Sequence, residues 1–95
     1  MEVGIQVVEE VTVGSQMGLH ARPAAQIAKM ASGYDASLVL CKDGAPESRA
    51  DCRSVLELLI LAAGLHSRLR LVAEGPDAEK AAAEIAAFFK NNFGE

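Results

Sequence analysis

Aromatic residues are scarce, with three phenylalanines, one tyrosine and no tryptophan in 95 residues. Because 51% of the chain is nonetheless apolar, a disordered chain is excluded and any core must be aliphatic. Basic charge is also short. Nine Lys and Arg against thirteen Asp and Glu give a net charge of −4, without the basic face that a nucleic-acid-binding domain carries. Cys41 and Cys52 lack the paired spacing of a zinc site, so both are expected as free thiols and no metal is expected. No stretch approaches the roughly 20 apolar residues that span a bilayer. Met1-Glu2-Val3-Gly4 has neither the basic start nor the apolar run of a secretory signal. The expectation is a cytoplasmic protein with no membrane and no nucleic-acid partner. Its length suits one domain over 1–95 with a single core.

What is present is regular patterning. Alternation from about Gln6 to Val13 predicts a first strand. After the loop Gly14-Ser15-Gln16-Met17-Gly18, apolar residues at Ala24, Ile27, Ala28 and Ala31 predict a helix from about Ala21 to Ser32, ended by Gly33. A second strand is expected over Ala36–Lys42, then a Lys42-Asp43-Gly44 turn and a short polar strand over about Glu47–Asp51. Ser54-Val55-Leu56-Glu57 matches a capping box and predicts a helix over about Val55–Ala63, stopped by Gly64. A fourth strand runs over Ser67–Glu74. Gly75-Pro76-Asp77 breaks it and offers Asp77 as an N-cap. The last helix, over about Ala78–Asn91, carries Ala78, Ala81, Ala82, Ile85, Phe88 and Phe89 on one side. The order βαββαβα is most simply satisfied by an α+β open-faced β-sandwich, a four-stranded antiparallel sheet with three helices on one face. Such a fold alone assigns no function.

The chemistry concentrates in Gly18-Leu19-His20-Ala21-Arg22-Pro23-Ala24-Ala25. Pro23 is tolerated in a first helical turn, where the N–H it lacks has no intrahelical acceptor. The free N–H groups after His20 and the helix dipole attract anions, the dipole by about 0.3–1 kcal/mol. A histidine with an arginine beside it at such a mouth reads as a nucleophile next to a phosphate clamp. Gly64-Leu65-His66-Ser67-Arg68 repeats the Gly-Leu-His-x-Arg spelling between a helix and a strand, without the proline or the helix. His66 is therefore expected as a surface turn residue.

This motif resembles the active-site signature of HPr, the histidine phosphocarrier of the phosphoenolpyruvate-dependent phosphotransferase system. The resemblance runs from about Glu10 to Phe93 and includes Arg53-Ser54-Val55-Leu56, where that family has its regulatory serine and second helix, and Ala73-Glu74-Gly75 before the last helix. It implies that His20 accepts a phosphoryl group on Nδ1 from phospho-enzyme I and passes it to a histidine of an A-type component. The carrier would be stoichiometric, not catalytic, and would need no cofactor. A free imidazole titrates near 6.5, so a neutral nucleophilic nitrogen is available at neutral pH. Arg22 would hold phosphate oxygens with its planar fork, assisted by the backbone N–H groups of Ala21 and Arg22. Positioning and charge neutralisation are most of what in-line transfer needs.

Ser54 reads first as a helix cap worth about 1 kcal/mol. The resemblance adds phosphorylation there by an HPr serine kinase/phosphorylase, with a transcriptional co-regulator as a further partner; about two negative charges would then repel phosphorylated partners. The helix that Ser54 opens is apolar nearly all round. Leu58 and Leu61 are assigned to the core, and Val55, Leu56, Leu59 and Ile60 to an exposed docking patch beside His20. Arg22, Arg49 and Arg53 are expected on its basic rim, and Glu74, Asp77, Glu79 and Glu84 on a solvated face. Gly33-Tyr34-Asp35-Ala36 and Asn91-Asn92-Phe93-Gly94-Glu95 look more like the nitrogen-related branch of the family than the sugar-uptake branch. The chain starts a few residues earlier than is usual there, which extends the first strand or frays. A monomer is expected. From another class, a small-molecule-sensing α+β module without covalent chemistry fits the same layers but does not require His20 and Arg22. A hydrolase of the acylphosphatase kind lacks its carboxamide and arginine loop here, and a catabolite-regulating paralogue lacks the histidine.

Overall fold

A computed structural model describes residues 6–61 and 63–95. Its elements follow the order read from the patterning: β1 (Gln6–Thr12), α1 (Ala21–Ser32), β2 (Ser37–Lys42), β3 (Ala45–Asp51), α2 (Val55–Leu61), β4 (Arg68–Glu74) and α3 (Ala78–Lys90), then a 3-10 turn over Asn92–Gly94. The strands form one antiparallel sheet in the order β1-β4-β2-β3. This is the open-faced α+β sandwich, with the three helices on one face. The residues preceding Gln6, expected to extend β1 or fray, lie outside the described residues.

Side-chain alternation decides what each strand buries. Val11, Leu38, Leu40, Ala50, Leu69, Leu71 and Ala73 turn to the helices and are buried. The other face carries Val8, Val72 and Val39 in one cross-strand row. The helices complete the core as their stripes predict: Ala24, Ile27, Ala28 and Ala31 from α1, and Ala78, Ala81, Ala82, Ile85 and Phe89 from α3. Phe88 stays half-buried. The few aromatics are used together, with Phe93 lying 5.0 Å from Phe89 and 5.4 Å from Phe88 between ring centres. At seven residues α2 is too short to hold as a helix by itself; fully buried Leu58 and nearly buried Leu61 pin it to the sheet.

Three local readings need correction. β3 begins at Ala45, two residues before the polar run that marked it, because pairing of Lys42 with Ala45 carries the ladder into the turn across a register shift. The capping box is half formed. The Glu57 N–H donates to Ser54 Oγ at 3.1 Å, but the Glu57 carboxylate reaches past Ser54 to accept from the Asp51 N–H at 2.9 Å. Asp77 stands at the N-cap position of α3 without capping it. Its carboxylate accepts from the Asp35 N–H at 2.7 Å instead, while the Asp77 N–H donates to the Asp35 carbonyl at 3.1 Å. That reciprocal pair ties the start of α3 to the end of α1.

Candidate functional site

The mouth of α1 is shaped by a close approach of backbones. Gly18 adopts φ +69, and a Cβ there would lie 2.6 Å from the Ala63 carbonyl oxygen and 2.9 Å from Gly64 Cα. Only glycine fits both the left-handed backbone and the space. The contact lets the Leu19 N–H donate to the Ala63 carbonyl at 2.8 Å, which fastens the segment after α2 to the residue before His20. His20 is then extended, with φ −87 and ψ −173, and its side chain caps nothing. Its carbonyl accepts from the Ala24 N–H at 3.0 Å to start the helix. Pro23 has no N–H, so those of Ala21 and Arg22 open the helix without intrahelical acceptors.

The side chains at this mouth converge on a residue that sequence reading did not select. Glu95 Oε2 lies 2.7 Å from His20 Nε2 and 2.8 Å from Arg22 Nη2. Its Oε1 accepts from the Ser15 hydroxyl at 2.7 Å. These hydrogen bonds, the one from Ser15 first and that from His20 next, hold the Glu95 carboxyl below the usual carboxylate range. An ionised carboxylate can only accept, so the proton of a neutral His20 ring sits on Nε2 and the lone pair is on Nδ1. Glu95 and Ser15 are 75 and 80 residues removed from their partners in sequence. No local pattern signals either.

The remaining candidates separate. Val55, Leu56, Leu59 and Ile60 are exposed, at 36%, 67%, 39% and 70%, whereas Leu58 and Leu61 are buried as expected. The segment after α2 meets the mouth of α1, and the other end of α2 meets the far end of α1, where Arg53 Nη2 donates to the Tyr34 carbonyl at 2.7 Å. Arg53 and Ser54 therefore lie at the end of α2 away from His20. Arg49 pairs with Cys41, next to Ala50, which is buried toward the helices, so it projects from the helix-free face. Of the three arginines expected on the rim of the α2 patch, Arg49 is turned to the other face, Arg53 stands exposed two residues before Val55, and Arg22 borders the histidine. His66 is exposed with φ 71 and its N–H donates to the Val13 carbonyl at 2.7 Å, a turn residue as expected. Burial first, then the nearby Asp51 carboxylate, pushes the Cys52 thiol up to about 12. Both cysteines are free, and no cluster among the described residues has metal-binding geometry.

The family profile described as "PTS HPr component phosphorylation site" matches residues 7–91. The chain belongs to the HPr family. Among HPr relatives, the phosphocarrier protein HPr of Treponema pallidum (strain Nichols) is 40% identical over 89 residues, covering 94% of this chain and 98% of that one. The phosphocarrier protein NPr of Escherichia coli (strain K12) is 34% identical over 87 residues, covering 92% and 94%. In the solved structures, the HPr of Bacillus anthracis str. Ames superposes with a TM-score of 0.80 at 33% identity over 88% of this chain and 96% of that one. This HPr-family chain is therefore a phosphocarrier of the phosphotransferase system, and the non-covalent sensing module gives way to it. No helix among the described residues is long and apolar enough to cross a membrane.

Proposed function

We propose that His20 is the phosphoryl acceptor, taking the group on Nδ1 from the phosphohistidine of enzyme I and delivering it to a histidine of an A-type phosphotransferase component. The observation that supports this best is the disposition of the ring: Nε2 is engaged by a carboxylate, so the lone pair is on Nδ1. Arg22 stands 2.8 Å from the carboxylate that His20 also touches, within reach of an anion attached to the ring. Its fork, with the N–H groups of Ala21 and Arg22, neutralises the transferred group during in-line displacement. Because the group leaves again on the next partner, the protein turns nothing over by itself.

The exposed face of α2 is the docking surface in this reading. Val55, Leu56, Leu59 and Ile60 form an apolar strip on the helix whose following segment, at Ala63, meets the residue before His20, suiting partners that must bring a histidine to Nδ1. Ser54, at the other end, is a modification site whose phosphorylation would change which partners dock, by charge, without touching the acceptor nitrogen. A serine kinase and a transcriptional co-regulator are the corresponding partners. The chain's likeness to both an HPr and an NPr leaves two classes of acceptor, sugar-uptake and nitrogen-related, for direct assay. The carrier acts as a monomer, which gel filtration tests.

Incubation with phosphoenolpyruvate and enzyme I should add one acid-labile phosphoryl group by intact mass, and His20→Ala should abolish it. Retention of the label in His20→Ala, or an acid-stable adduct, would refute the assignment.

A further inference from the structure

We propose that the outer edge of β1 and the groove between it and α3 form a second docking site. It takes an extended segment of a partner protein as a fifth strand, with a basic residue opposite Glu9.

In the order β1-β4-β2-β3, β1 is an edge strand, paired only with β4. No other strand among the described residues meets its outer side. Alternate residues from Gln6 to Thr12 therefore turn their N–H and C=O groups outward, a template for another strand. α3 follows the same strand along its length. Gln6 pairs with Glu74, shortly before α3, and the Asn92 side chain, just past α3, packs on Gly14, just past β1. Between strand and helix lies a groove of about 590 Å³, within the range of roughly 300–1,000 Å³ that ligand clefts occupy. Its walls are β1 from Glu9 to Thr12 on one side and Ala83, Ala86 and Ala87 of α3 on the other, with Lys90 toward the Gly14 end.

Strand alternation fixes what an added segment would meet. Val11 is buried toward the helices, so Val7 and Glu9 leave β1 on that same side. Glu9 is exposed and lines the groove. A fifth strand would place alternate side chains opposite Val7, Glu9 and Val11, and the short side chains of the α3 wall leave room for them. Main-chain bonds to the edge supply affinity, and the groove selects among side chains.

Charge selects the occupant. Sheet edges are commonly guarded by lysine, but this one carries Glu9 and Glu10. Glu10 already has Arg70 at 3.7 Å, whereas no ion pair among the described residues involves Glu9. Pairing two copies of β1 antiparallel over their full length would set Glu9 against Glu9, and like charges directly opposite destabilise a strand pair. A basic residue there reverses the sign. The fitting segment is therefore apolar at two positions that flank a central basic residue, each two places away from it. The groove shares no residue with the mouth of α1 or with α2, so it belongs to neither surface that phosphoryl transfer uses.

The test is titration of the 15N-labelled full chain with a seven-residue probe peptide: lysine at the centre, valine two places to either side and threonine elsewhere. Amide shifts should concentrate in β1 and α3, hydrogen exchange should slow at the outward amides of β1, and binding should saturate below about 1 mM. N-methylation of one alternate set of peptide amides should abolish binding, while methylation of the other set should leave it within about twofold. Glu9→Lys should weaken binding about fivefold, and a peptide with glutamate in place of lysine should prefer Glu9→Lys to the wild type. Ala87→Trp, at an exposed position, fills the groove and should abolish binding while phosphoryl acceptance continues. Any one of four results overturns the proposal: no saturation by about 1 mM, shifts on α2 in place of β1, binding that survives both methylations, or an unchanged affinity in Glu9→Lys. Pairing of the free protein with itself through β1 at the same concentrations would make a second copy the occupant and overturn it as well.

Discussion

Replacing Gly18 by alanine tests the joint between α1 and the end of α2, the piece of tertiary structure that places His20. Left-handed backbone costs a residue with a Cβ about 1–2 kcal/mol. The new Cβ would meet the Ala63 carbonyl oxygen at 2.6 Å and Gly64 Cα at 2.9 Å, both backbone atoms that cannot swing aside. Relieving such overlap by shifting backbone costs about 1–3 kcal/mol. The shift also stretches the 2.8 Å bond from the Leu19 N–H to that carbonyl, for about 1 kcal/mol more. The sum is about 3–6 kcal/mol, which in a domain of this size lowers Tm by at least about 12 °C. The matched control is Gly64→Ala at the same joint. Nothing lies within 4 Å of a Cβ there, so its stability should stay within about 0.5 kcal/mol of wild type. Both variants are followed by thermal and urea unfolding, together with phosphoryl acceptance, which should fall in Gly18→Ala and not in Gly64→Ala. Equal midpoints for the pair would refute the close-approach argument.

The depressed Glu95 carboxyl makes a pH prediction with a definite sign. A carboxyl lowered in the folded state contributes stability in full above its ordinary value near 4.3 and loses it as pH falls through the lowered value. Its 13C carboxyl resonance should therefore titrate below ordinary glutamate, and Ser15→Ala, which removes the largest cause, should move the midpoint up. Thiol labelling at pH 8 should modify half-exposed Cys41 but not Cys52, which is buried and raised to about 12; Cys52 should react only on unfolding. Leu56→Asp and Ile60→Asp change side chains 67% and 70% exposed, so stability should move by less than about 0.5 kcal/mol. KM for enzyme I should rise severalfold in each, and an unchanged KM would remove the docking role from α2.

Most of the order of elements could be read directly, because it is written in short-range periodicity. The α1 stripe, the Asp-Gly turn and the Ser54 cap each depend on residues within one or two turns of each other, and each formed at or within two residues of its expected place. Misreadings occurred where a polar group had a choice of partner. Asp77 and Glu57 could have capped their own helices, but found backbone N–H groups at Asp35 and Asp51. Arg49 failed as a rim residue for a different reason. Its place one residue from buried Ala50 puts it on the opposite face, since a strand changes face at every step.

By itself the sequence determined the helix mouth: a glycine, a histidine, an arginine and a proline at spacings that open a helix and leave N–H groups free. These are local requirements of backbone geometry, and they hold wherever the segment is placed. Only the tertiary structure decided which ring nitrogen is engaged and by what. The Glu95 carboxylate reaches His20 because α3 packs along the sheet and the Phe93 anchor turns the chain back across its end. A contact 75 residues long in sequence is set by packing of the whole domain, and no spacing rule encodes it. The order β1-β4-β2-β3 and the separation of Ser54 from His20 along α2 are of the same kind. They depend on which buried faces meet, and periodicity names the faces without pairing them.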